Sequence, residues 1–157
     1  MTTLNFFELA DESASEALAA QLSIGLISPL VLTFSGEIGA GKTTFIRAML
    51  RALGIKSAIK SPTFSLIESY DCQHLQIHHF DLYRIHDEVE LDYIGFLDYF
   101  KDAAVCCIEW PERVPTVMSL VDLKFSLALS GAGRIIQIQA NSPLGETLMT
   151  RFEGVVR

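Results

Sequence analysis

A chain of 157 residues is long enough for one domain that buries about 70% of its unfolded surface, and with half its residues apolar and a mean hydropathy of +0.33 it is not a disordered chain. Its 19 acidic residues against 12 basic ones, a net charge of −7, exclude a protein that grips nucleic acid unaided, because that grip comes mainly from cations on phosphates; they leave open a place in a complex that handles RNA. The three cysteines, Cys72, Cys106 and Cys107, are odd in number and two are adjacent, so neither a disulfide framework nor a zinc site is expected, and free thiols in a reducing cytosol fit best.

Taken in chain order, the N-terminal "MTTLNFFELADES" has no basic start and no long apolar region, so no signal peptide is expected. "LNFFEL" (4–9) reads as a short edge strand. A helix follows near 12–22, capped by Asp11 or Ser13, with Ser13 and Glu16 at capping-box spacing. The longest apolar stretch, Leu22 to Phe34, contains Pro29 and is too short to span a bilayer. "LVLTFS" (30–35) reads as a buried strand, and Thr43 to Leu53 as a helix stopped by Gly54. Residues 65–71 and 75–81 predict a hairpin turning at Asp71 to His74. "DEVELDYIGFLDYF" (87–100) is helical in pattern, with Asp87 and Glu90 at capping-box spacing and Gly95 dividing it into two short pieces. "AAVCCIEW" (103–110) is a second buried strand. "LKFSLAL" and "RIIQIQA" flank the turn at Ser130 to Gly133, and a last helix spans about 143–152. Parallel-type buried strands mixed with hairpins predict a single α/β domain over 1–157, with a mixed sheet.

The chemistry begins at Gly36-Glu37-Ile38-Gly39-Ala40-Gly41-Lys42-Thr43, which matches G-x-x-x-x-G-K-[ST] in full and lies between a predicted strand and a predicted helix. Glycines let backbone amides close on phosphate oxygens, and the helix N-terminus adds partial positive charge. Lys42 can reach the β- and γ-phosphates, and the Thr43 hydroxyl can ligate Mg²⁺. The fold expected is therefore P-loop NTPase-like, with parallel core strands, antiparallel hairpins and flanking helices.

A magnesium nucleotide also requires an acid at a strand end. Glu109, closing "VCCIE", is the natural choice, and Asp81 is its competitor. Thr63 in "SPTF" (61–64) sits where switch loops sense a γ-phosphate; Ser-Pro as a plain turn is the alternative. In "IHHFDLYR" (77–84), His79, Asp81 and Tyr83 share one face by period two. If that strand pairs beside the strand preceding the loop, Asp81 points at the γ-phosphate region, where a carboxylate orients water or the metal's outer shell. Arg84 could neutralise phosphate charge or anchor Asp81. His79 reads equally as a packing residue, and Tyr83 reads as structural. His74, His78 and His86 read as surface residues.

"GEIGAGKTT", "SPTF", "HFDLYR" and "IEWPE" occur together and in this order. With them, nearly the whole chain resembles the bacterial tRNA threonylcarbamoyladenosine biosynthesis ATPase family, TsaE (YjeE). The resemblance implies a small cytoplasmic ATPase that uses ATP and Mg²⁺, yields ADP, and binds the TsaB–TsaD dimer in making t⁶A at position 37 of ANN-decoding tRNAs. In that family the ATPase supports multiple turnover without performing the transfer, so tRNA is met only through the complex, and no membrane is involved. By resemblance, Thr43 and Glu109 are Mg²⁺ ligands, Gly39, Ala40, Gly41, Lys42, Thr43 and Thr44 form the phosphate loop, and the adenine lies near Asp11 and Arg134.

Other readings remain. A small-molecule P-loop kinase usually needs an arginine-bearing lid, and the seven arginines are scattered. A GTP switch needs N-K-x-D, which is absent. No glutamine is obviously placed to position water, so unassisted turnover should be slow.

Overall fold

The computed structural model describes residues 4–72, 75–101 and 103–156, with side chains through 152. Seven strands form one sheet: β1 (Leu4–Leu9), β2 (Leu30–Ser35), β3 (Ile67–Cys72), β4 (Leu75–Asp81), β5 (Ala104–Glu109), β6 (Leu123–Ser130) and β7 (Gly133–Ala140). Their order is β1-β7-β6-β2-β5-β4-β3. β6, β2, β5 and β4 run parallel at the centre; β1, β7 and β3 pair antiparallel at the flanks. The mixed α/β sheet expected from the sequence is the one observed, and "LNFFEL" is an edge strand.

Period two divides the central strands between two cores. Val105 and Cys107 of β5 face one, Cys106 and Ile108 the other. The first core is covered by α1 (Glu12–Ile24), α2 (Lys42–Ala52) and α4 (Pro143–Val156). The second lies under α3 (Val89–Asp92) and short 3-10 turns at Phe96–Phe100, Pro111–Arg113 and Pro115–Leu120. Because both faces are covered, central strands read as continuous apolar runs.

Local chemistry sets the element ends. Asp11, not Ser13, caps α1: its Oδ1 accepts from Ala14 N at 2.9 Å. Glu90 Oε2 accepts from Asp87 N at 3.4 Å and Asp87 Oδ1 accepts from Val89 N at 3.0 Å, although the cap position of α3 falls on Glu88, which makes no side-chain cap bond. Gly95, at φ +67°, separates α3 from the next turn.

Two expectations are corrected. His78 is buried, with Nδ1 2.8 Å from the Ser69 hydroxyl and its ring 4.8 Å from that of Tyr99. β4 is an interior strand covered on both faces, which a surface reading of its histidines did not anticipate. β4 also does not adjoin β2, because β5 lies between them. His86 is exposed, and His74 lies outside the described residues.

Candidate functional site

Register across the parallel strands places the acids. Phe125, Phe34, Glu109 and Asp81 are successive partners across β6, β2, β5 and β4, all on the face that α2 covers. The row is apolar at Phe125 and Phe34 and turns acidic at Glu109 and Asp81. So Asp81 stands beside Glu109 although a strand separates it from β2. Period two ends at Asp81, however; Tyr83 lies in the turn beyond the strand, and its N donates to Asp81 Oδ1 at 3.0 Å.

The loop after β2 brings the other groups. Gly36, Gly39 and Gly41 have φ of +149°, +84° and +101°. At Gly41 the positive φ favours glycine, and a Cβ there would meet Arg134 Nε at 2.8 Å, so the arginine side chain would have to give way. No side chain caps α2, which leaves its first amides facing the loop's interior.

A cavity of about 340 Å³ opens there, lined by Ile38, Gly39, Gly41, Lys42, Thr43, Thr44, Thr63, Asp81, Tyr83, Glu109, Trp110 and Arg134. Thr43 Oγ1 donates to the Glu109 carboxylate, 2.9 Å from each oxygen. Glu109 Oε2 also accepts from His79 Nε2 at 2.6 Å. Thr63 Oγ1 donates to Asp81 Oδ2 at 3.1 Å and lies 2.7 Å from Ser61 Oγ. Leu66, just after this loop, holds φ +67°, and its carbonyl accepts from Asp81 N at 3.0 Å. Trp110 holds φ +59° directly after Glu109. Such non-glycine conformations cost about 1–3 kcal/mol each and gather at functional sites.

Lys42 Nζ donates to the carbonyls of Gly36 and Glu37 and lies 4.2 Å from the Trp110 ring centroid. Burial pushes its ammonium below the ordinary value, against the pull of Glu109, Glu112 and Asp81. Burial pushes the Asp81 carboxyl above the usual carboxylate range, opposed by the Tyr83 amide and reinforced by Glu109.

Of the residues singled out in the sequence, Gly39, Gly41, Lys42, Thr43, Thr44, Thr63, Asp81, Glu109 and Arg134 share this cavity. Ala40 is buried behind it. Asp11 caps α1 and does not line it; its neighbour Glu12 lines an adjacent depression that shares Thr44. Arg84 stacks on Phe64, 4.2 Å from the ring centroid, and is not part of the lining. Tyr83 and Trp110 form a wall, their centroids 4.9 Å apart, with Arg113 over Tyr83. Tyr83, read from the sequence as structural, lines the cavity two residues past the strand-terminal Asp81.

The donor set suits a hard divalent cation: hydroxyl and carboxylate oxygens converge at Thr43 and Glu109, with Asp81 beside them. Among the described residues no group of three or more His, Cys, Asp or Glu forms a complete cage. Mg²⁺ is held in that way, by one or two carboxylates together with phosphate and water oxygens.

The chain is similar to a Haemophilus influenzae protein named tRNA threonylcarbamoyladenosine biosynthesis protein TsaE, 36% identical over 123 residues that cover 78% of each chain. The Borreliella burgdorferi protein of the same name is 31% identical over 134 residues, 81% of this chain and 96% of that one. The crystal structure of Bacillus subtilis YdiB superposes with a TM-score of 0.82 at 25% identity, covering 100% of this chain and 99% of the other. Residues 9–136 match the model of the family described as threonylcarbamoyl adenosine biosynthesis protein TsaE, and it is to this family that the chain belongs.

Proposed function

We propose that this chain is the ATP-binding and ATP-hydrolysing component of the machinery that makes N6-threonylcarbamoyladenosine at position 37 of tRNA, acting through the TsaB–TsaD complex in the cytoplasm. The relatives' names supply the pathway. One observation carries the nucleotide chemistry: the Thr43 hydroxyl on the Glu109 carboxylate, at the foot of a glycine loop that opens onto an uncapped helix.

ATP, when bound with Mg²⁺, supplies the transferable γ-phosphoryl group and the charge that steadies it. The protein's part is positioning and electrostatics. Loop amides and the α2 N-terminus bind phosphate oxygens. Lys42, now on the Gly36 and Glu37 carbonyls, would exchange those partners for phosphate. Thr43 and Glu109 would hold the metal, and Asp81, braced by Thr63 and the Tyr83 amide, would orient water or accept its proton. The Tyr83–Trp110 pair forms one wall of the cavity beside Asp81.

Among the described residues no glutamine lines the cavity, so turnover alone should be slow and a partner is needed to raise it. With a net charge of −7, contact with tRNA would pass through the complex. Among the described residues no helix is long and apolar enough to cross a membrane.

The test is ATP turnover measured alone and with TsaB–TsaD, alongside t⁶A formation with and without this chain. Stimulated turnover and chain-dependent repeated t⁶A synthesis are expected. Turnover stimulated by a metabolite instead would favour a small-molecule kinase and overturn the reading.

A further inference from the structure

His79 is 1% exposed, and its row partner on β5 is the buried thiol of Cys107, with Leu32 one strand further. An imidazole in such a row is a poor packing choice. Among the described residues its Nδ1 has no hydrogen-bond partner, so an aliphatic side chain would fill the space without leaving a buried polar atom unsatisfied. The single polar contact that justifies it is the 2.6 Å bond from Nε2 to Glu109 Oε2.

Glu109 is 2% exposed. Its other donor, the Thr43 hydroxyl, spans both carboxylate oxygens at equal distance and does not select a rotamer. The Thr43 oxygen is also the atom that would face a cation. A carboxylate held only by that hydroxyl is free to turn toward the nearby Lys42 ammonium. His79 reaches Glu109 from one row deeper in the sheet and bonds Oε2 alone, the contact that distinguishes the two carboxylate oxygens.

We propose that His79 is a positioning residue that fixes the Glu109 carboxylate, so that one of its oxygens and the Thr43 hydroxyl are presented together to a divalent cation. This rests on the nucleotide reading above and extends it to a residue whose sequence context left it between packing and chemistry. Groups that orient a metal-binding side chain typically change metal affinity or activity by about 10–100-fold when removed.

The test uses Mn²⁺ as the probe, with ADP, followed by electron paramagnetic resonance. His79→Leu should bind Mn²⁺ in the ADP complex about 10–100-fold more weakly, while its affinity for ADP without metal stays within a few-fold. His79→Gln, whose amide can reach the same oxygen, should recover most of the loss. In turnover assays the half-saturating Mg²⁺ should rise in His79→Leu while the rate at saturating Mg²⁺ changes little. Circular dichroism identifies folded variants; if His79→Leu does not fold, His79→Asn, whose amide falls short of Glu109, replaces it. Unchanged Mn²⁺ affinity in a folded variant overturns the proposal. So does equal weakening in the variant with Gln, which would assign His79 to packing. Failure of the unmodified protein to bind Mn²⁺ with ADP would overturn the nucleotide reading itself, a result separable from either.

Discussion

Asp81 is 5% exposed, and burial lifts its carboxyl above the ordinary value of 3.8. Between 3.8 and that raised native value the folded chain holds a proton that the unfolded chain has released. Asp81 therefore favours the folded state below that window, and this contribution is lost as pH rises through the native value. Above that window the contribution is gone. Asp81→Asn should consequently melt no lower than the unmodified protein at pH 7, and any advantage should shrink as pH falls toward 4. Hydrolysis should nonetheless drop by about 10²-fold or more, the scale for losing a positioned acid or base. ADP affinity should stay within a few-fold, because ADP has no γ-phosphate. Thermal melts across pH with single-turnover assays check it; normal hydrolysis would move the chemistry elsewhere. Lys42 carries the opposite charge in the same cavity. Lys42→Ala removes a charge-assisted bond of roughly 1.5–3 kcal/mol, so ATP affinity or turnover should fall about ten- to a hundredfold, as calorimetry and rate measurements would register.

At the scale of elements, the loop between β2 and α2 is constrained by both its backbone and its neighbours. Gly39 and Gly41 both sit at positive φ, yet a Cβ on Gly39 meets nothing within 4 Å, whereas one on Gly41 meets the Arg134 side chain. Gly41→Ala should therefore weaken ADP binding more than Gly39→Ala; strain of this kind costs about 1–3 kcal/mol. Calorimetry on the two variants separates backbone strain from collision. The turn after β5 is the matching piece. Trp110 is the only tryptophan, and its ring lies 4.2 Å from Lys42 Nζ. Nucleotide that draws Lys42 onto phosphate must change that ring's surroundings, so Mg²⁺–ATP should alter the fluorescence. In Lys42→Ala the starting emission should differ and the response to nucleotide should shrink.

Across the whole molecule, the site depends on the row that runs from β6 to β4. Phe34 is fully buried, stacks on Phe125 with centroids 4.6 Å apart, and lies 6.1 Å from Phe45 of α2. It also pairs in register with Glu109. Phe34→Ala opens a cavity where the sheet meets the helix that begins at Lys42, and should cost about 3–5 kcal/mol. Urea unfolding measures the loss, and nucleotide affinity should fall with it, since α2 and Glu109 are positioned by the same contact. An equivalent loss in the second core, away from α2, should lower stability without that effect on binding.

The sequence by itself determined the pieces governed by short-range rules. Alternation and buried runs located all seven strands, Gly95 divided its helix, and the spacing of Gly36, Gly41, Lys42 and Thr43 announced a phosphate loop because that chemistry lies within eight consecutive residues. Glu109 and Asp81 were legible as strand-terminal acids. What they touch was not. The order β2-β5-β4, the register that sets Asp81 beside Glu109, and the crossing that brings Arg134 from β7 onto Gly41 are long-range pairings on which local spacing has no purchase. The same holds for the histidines of β4. Period two assigns His78 and His79 to opposite faces, but only the layers packed on each face decide that both are buried, one against Ser69 and Tyr99, the other on Glu109. Side-chain identity specifies what a residue can bond; the tertiary structure supplies the partner, because burial removes water as the alternative.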